Sequence, residues 1–198
     1  MKIGVLAVQG AFIEHEHIIE KIGHEVVEIR QRKDLDGIDG IILPGGESTV
    51  QGQLLRKLDM LATIKSLIAD GLPTLATCAG LILLAGHIDN DDSVHIGTLP
   101  VTVKRNAYGR QLGSFVRTAP MKGFDEFPMI FIRAPYISSI KDNVDVLAAV
   151  NDRIVAVQYN NQIGLAFHPE LSGDTRIHEY FICLLYTSPS PRDLSTSR

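Results

Sequence analysis

The 198-residue sequence has no tryptophan, only two cysteines, aromatic residues at 6% and no apolar run approaching a membrane span. Each shortage excludes something. Two cysteines cannot build a disulfide framework. A bilayer-spanning helix needs about 20 mostly apolar residues in a row, so no membrane association is expected. Positive charge is short as well: 19 Lys and Arg stand against 23 Asp and Glu, for a formal net charge of -4. That balance cannot grip a polyphosphate backbone and argues against nucleic acid as a partner. The opening MKIGVLAVQG carries one lysine and no small-residue cleavage pattern, so it reads as a first buried strand rather than an export signal. A reducing cytoplasm is the expected compartment, where a free thiol can work as a nucleophile.

What is present is an alternation of apolar runs and amphipathic stretches. KIGVLAV, a helical pattern from Phe12 to Ile22, HEVVEIR and GIIL ending at Pro44 predict a β-α-β-β opening. Helical stretches through Gln53, Leu54, Leu55 and Leu58 and from Leu61 to Ala69 follow. The second is closed by Gly71 and Pro73 ahead of the strand TLAT. Strands buried on both faces with helices between them predict an α/β fold with a mostly parallel sheet. The second half is richer in strands: VTVKR, SFVRT, MIFIRA, DVLAAV, RIVAVQY and QIGLAFH, with Asn151-Asp152 and Asn160-Asn161 as turns. They are expected to add an antiparallel extension to the same sheet. A last helix runs from about Asp174 into FICLLY, and residues 1–186 are expected to form one domain. The remaining 187–198, TSPSPRDLSTSR, has little to bury and reads as a disordered or non-native tail.

Three short segments carry chemistry. Leu75-Ala76-Thr77-Cys78-Ala79-Gly80, followed by the helix-like Leu81 to Leu84, has the layout of a nucleophile elbow: strand, cysteine between small residues, helix. At a helix start, unpaired N–H groups favour negative charge on sulfur. The plain alternative is a small buried hydrophobe at a strand end. Phe167-His168-Pro169-Glu170 supplies a base. The residue before proline is pushed into extended backbone, where residues i and i+2 share a side, so Glu170 can fix the tautomer of His168 while its other nitrogen faces the thiol. A histidine two residues from a glutamate also arises by chance. Gly40 to Thr49 is a buried strand ending at Pro44, then Gly45-Gly46, whose N–H groups can turn outward to hold an oxyanion. A phosphate-cradling loop looks similar but places a lysine that this segment lacks. A purely structural turn with Ser48 as helix cap fits equally.

In this order, Pro44-Gly45-Gly46-Glu47-Ser48-Thr49, Thr77-Cys78-Ala79-Gly80 and His168-Pro169-Glu170 resemble the class I glutamine amidotransferases. Glu-Ser-Thr after the glycines is similar to the glutaminase subunits of pyridoxal 5'-phosphate synthase. Two further segments, Arg105-Asn106-Ala107-Tyr108-Gly109-Arg110-Gln111 and Phe131-Ile132-Arg133-Ala134-Pro135, resemble that family's glutamine pocket. The likeness runs from the opening strand to about Phe181. It implies a flavodoxin-like three-layer α/β/α sandwich. It also implies Cys78, His168 and Glu170 as catalytic triad, backbone of Gly45, Gly46 and Ala79 as oxyanion hole, and Gly46, Glu47, Ser48, Arg105, Ile132 and Arg133 as contacts of L-glutamine. A synthase subunit is the implied partner, receiving the ammonia in a hetero-oligomer, and neither cofactor nor metal is implied. Ala76, where the elbow often has glycine, and Val50, where a small polar residue is usual, depart from the pattern.

His15 and His17 fall on different faces of the first helix, outside any His-Glu-x-x-His pattern, so they are expected to be solvated. His24, His87, His95 and His178 read as isolated structural residues. Cys183, inside the apolar run of the last helix, reads as core.

Overall fold

The computed structural model describes residues 1–107 and 113–187. Its first half alternates as the periodicity predicts: β1 (Lys2–Leu6), α1 (Phe12–Lys21), β2 (Glu25–Ile29), β3 (Gly40–Leu43), α2 (Ser48–Lys57), α3 (Leu61–Ala69), β4 (Thr74–Thr77) and α4 (Ala79–Leu84). β1 lies between β2 and β3, and β4 follows β3, all in parallel. β3 and β4 are buried along their whole length, as strands covered by helices on both faces must be. α3 stops where Gly71, at φ +101°, takes up the left-handed conformation that closes a helix.

The second half contributes β5 (Ala85–Ile88), β6 (Leu99–Lys104), β7 (Ser114–Met121), β8 (Phe124–Ile132), β9 (Tyr136–Ile140), β10 (Asp145–Val150), β11 (Arg153–Tyr159), β12 (Gln162–Leu165) and α5 (Arg176–Thr187). The main sheet has ten strands in the order β2-β1-β3-β4-β12-β11-β9-β6-β5, with β10 on β11. β12 is the pivot: it runs parallel to β4 and antiparallel to β11, so the late strands attach to the parallel half as an antiparallel extension. The fold is a flavodoxin-like three-layer α/β/α sandwich. Asn151 and Asp152 both have positive φ, +49° and +61°, the requirement of the tight turn joining β10 to β11.

One expectation fails. SFVRT and MIFIRA do not extend the main sheet; β7 and β8 pair only with each other, as a separate two-stranded ribbon. Phe127, Met129 and Phe131 alternate along β8 onto the core, while most of β7 is exposed. The ring centroids of Phe127 and Phe131 lie 6.0 and 5.8 Å from that of Phe167, just beyond β12. Aromatic burial thus packs a face of the ribbon against Phe167, beside the main sheet and not in register with it. Two strands lacked a clear alternating signal: β5, where Gly86 and His87 are exposed, and β9, with two exposed serines.

The last helix also corrects the sequence. α5 buries Ile177, His178, Phe181, Ile182 and Leu185, a stripe at helical spacing. Cys183 falls off that stripe and is exposed, not core. α5 reaches Thr187, and the rest of the expected tail, 188–198, lies outside the described residues, as do Tyr108, Gly109, Arg110 and Gln111.

Candidate active site

Cys78 joins β4 to α4 at φ +48° and ψ -102°. A non-glycine residue there is strained, at a cost on the order of 1–3 kcal/mol that the surroundings must over-determine. They do so: its N–H donates to Leu165 O at 2.8 Å, and its carbonyl accepts from Ile82 N at 3.3 Å. The neighbouring Gly80 is sterically fixed, because a Cβ there would lie 2.0 Å from Leu43 O on β3. Ala76 shares its register with Leu43 and Gly164 and is wholly buried.

β12 runs on through Phe167 to His168, whose N–H donates to Ile130 O of the ribbon at 2.8 Å. His168 is near-extended at φ -107° and ψ 87°, as a pre-proline residue should be, but Pro169–Leu171 is a 3-10 turn. The two side chains therefore meet through a turn, not along an extended strand: His168 Nδ1 and Glu170 Oε1 are 2.6 Å apart. Both residues are 6% exposed. Burial opposes charge on His168, yet hydrogen bonds to Cys78 and Glu170, and the charges of both, outweigh it and push its pKa up to about 10. Nδ1 is thereby held as the donor to the carboxylate, leaving Nε2 for the sulfur.

The loop after β3 closes the third side. Gly45 packs against the imidazole so closely that a Cβ would stand 2.3 Å from His168 Cε1. Ala11 N–H donates to Gly45 O at 2.9 Å, and Gln9 Oε1 accepts from Glu47 N at 2.8 Å. Gln51 Nε2 bonds Gln9 O at 3.0 Å and Pro44 O at 3.2 Å. Glu47, not Ser48, occupies the cap position of α2; Ser48 is the first helical residue and is buried.

These segments surround one cavity of about 490 Å³ lined by Gly45, Gly46, Glu47, Ser48, Cys78, Ala79, Arg105, Ile132, Arg133 and His168. Glu170 lies behind His168. Arg105 is braced by Asp91 Oδ2 at 3.2 Å and Thr49 Oγ1 at 3.4 Å. Ile132 O is 4.0 Å from Cys78 Sγ, and Arg133 follows at φ +43°.

The family's sequence pattern matches residues 5–186, nearly the whole of the fold just described. The chain belongs to the SNO glutamine amidotransferase family. It is similar to pyridoxal 5'-phosphate synthase subunit PdxT of Desulfitobacterium hafniense, at 58% identity over 183 residues, 92% of each chain. The Streptococcus pneumoniae protein of that name is 52% identical over 186 residues, 92% of this chain and 96% of the relative. Among solved structures, a glutamine amidotransferase superposes with a TM-score of 0.89 at 38% identity, covering 93% of this chain and 98% of the other. PurLQS from Thermotoga maritima, at 18% identity and TM-score 0.66 over 94% of this chain and 95% of its own, shares the fold.

Several residues of this family member escaped sequence reasoning. Gln9, Glu14 and Leu171 line the cavity, and Gln51 holds the loop from below. For Gln9 the available signal was position, since it follows a buried parallel strand at the carboxyl edge where open α/β sheets set their sites. His15 reverses its expectation. His17 is exposed, but His15 is wholly buried, with Nδ1 at 2.9 Å from His178 Nε2 and Nε2 at 3.3 Å from Thr77 Oγ1. His178 is accordingly not isolated. Among the described residues, no group of three or more His, Cys, Asp or Glu side chains is arranged to hold a metal ion, and no helix is long and apolar enough to cross a membrane.

Proposed function

We propose that this chain is the glutaminase subunit of a pyridoxal 5'-phosphate synthase, hydrolysing L-glutamine to L-glutamate and passing ammonia to a synthase subunit in the cytoplasm. The observation that carries this reading is the convergence of Cys78, His168 and the Gly45-Gly46 loop, from three distant segments, on one cavity, with Glu170 bonded behind the histidine.

The Cys78 sulfur attacks the side-chain amide carbon of glutamine. The oxyanion is held by the N–H of Ala79 and one from the Gly45-Gly46 loop, which stabilise the charge as it develops. His168, kept protonated by Glu170, gives its proton to the departing nitrogen, and ammonia leaves. Now neutral, His168 takes a proton from water, which attacks the γ-glutamyl thioester and releases glutamate. Arg105 and Arg133 suit the α-carboxylate of the substrate and Glu47 its ammonium group. Ammonia would be protonated and lost in bulk water, which gives the site a reason to dock on the enzyme that consumes it.

Replacing Cys78 with Ala and measuring pyridoxal phosphate formation with the synthase subunit tests the assignment. Glutamine should cease to serve as nitrogen donor while ammonium chloride still does. Continued use of glutamine by Cys78→Ala ends the proposal.

A further inference from the structure

We infer that His15 and His178 form a directed hydrogen-bond relay that donates to Glu170, making His15 a positioning residue for the catalytic histidine. This rests on the triad proposed above. The starting observation is an incomplete carboxylate. Glu170 Oε1 accepts from His168, but Oε2 is buried without a hydrogen bond meeting strict geometry. A buried carboxylate oxygen without a donor is costly. His15 Nε2 lies 3.4 Å from this oxygen, with both side chains fully buried.

Tautomer accounting fixes the direction of the chain. The His15 Nδ1 to His178 Nε2 contact of 2.9 Å needs one proton. If His15 supplied it, His15 Nε2 would turn a lone pair toward the Glu170 carboxylate. His178 Nδ1, which has no hydrogen-bond partner, would then be a buried N–H with nothing to donate to. If His178 supplies it, no N–H is left orphaned and no lone pair faces the carboxylate: His178 Nδ1 keeps an unpaired lone pair, and His15 Nε2–H faces Glu170 Oε2 and Thr77 Oγ1. The order of donation becomes His178 to His15 to Glu170, and Glu170 accepts from His168 on its other oxygen. Both histidines must be neutral for this. Burial, with the neighbouring charges of His178 and His168, lowers the pKa of His15 well below 6.5, and burial lowers that of His178 to about 4. The relay draws on α1, α5, β4 and the turn after β12, so four segments far apart in the chain fix one carboxylate.

The test compares His15→Gln with His15→Asn in the full chain, assayed with the synthase subunit. A glutamine amide reaches the place of Nε2 and keeps a donor for Glu170; the shorter asparagine reaches only the place of Nδ1. His15→Asn is expected to lower kcat about tenfold or more, within the ~10²–10⁴ that acid–base catalysis supplies, at unchanged KM for glutamine. His15→Gln should recover most of it. Wild-type kcat in His15→Asn, or equal losses in both variants that track their melting temperatures, overturns the inference. Should neither variant fold, nitrogen-15 NMR of the histidine rings in the unmutated protein decides. Neutral Nε2–H tautomers for His15 and His178 are expected, and an Nδ1–H or charged His15 overturns the relay. Failure of the unmutated complex to turn over glutamine would instead sink the underlying function, and the ring tautomers would still judge the arrangement.

Discussion

Gly45 is where the glycine loop and the proposed catalytic base, His168, touch, so Gly45→Ala probes both at once. The added methyl would sit 2.3 Å from His168 Cε1 and 3.0 Å from its Nδ1, where Cβ contacts under 3.0 Å do not occur. The ring or the loop must therefore retreat by at least about 0.7 Å, the difference between those distances. Neither can do so freely. His168 is held by Glu170 at 2.6 Å and by its own N–H on the ribbon, and Gly45 O is bonded by Ala11. A misplacement near 1 Å costs about 10²-fold in rate, and overpacking costs about 1–3 kcal/mol of stability. Steady-state glutamine hydrolysis with the synthase subunit, alongside a thermal melt, should show a folded protein with kcat reduced by about two orders of magnitude. A Gly45→Ala protein with wild-type kcat would refute the close packing of loop on imidazole.

Two further outcomes follow from the geometry. His178 has a folded-state pKa of about 4 against 6.5 when unfolded, so unfolded chains take up a proton that the fold refuses; stability is full above pH 6.5 and falls as pH drops towards 4. Denaturant midpoints at pH 7 and pH 5 should differ, His178 alone contributing about 3 kcal/mol across the whole window, and a flat profile would contradict neutral burial. Gly80→Ala should lower the melting temperature and abolish glutamine hydrolysis, because its Cβ meets Leu43 O at 2.0 Å and backbone must move; an unchanged melt would show that the elbow is looser than described.

How much of this was legible in the sequence depends on the range of the interaction. The elbow around Cys78 is local, set by small neighbours, and could be read from spacing; the pairing of His168 with Glu170 is local too, but it forms through the turn at Pro169 and not along the extended backbone from which it was expected. So could the parallel half, where helix and strand periods alternate. Alternation along β8 gave a strand but not its partner, because period-two patterning marks which face is buried and says nothing of which strand lies at its edge. His15 was misread for a related reason. Its helix reads Glu-His-Glu-His, an exposed pattern, and its polar partners lie 62 and 163 residues away, so nothing nearby reveals that its ring is buried. Gln9 and Gln51 reach the glycine loop only once β1 and α2 have packed beside it.

The claim on which the account turns is that sulfur on the β4–α4 turn is the atom that meets the amide carbon of glutamine. Incubating the full chain and its synthase subunit with a glutamine-analogue electrophile, then mapping the adduct by peptide mass spectrometry, addresses it directly. One adduct on Cys78, blocked by excess glutamine and lost in Cys78→Ala, is the predicted result; labelling of the exposed Cys183 with Cys78 untouched would contradict it.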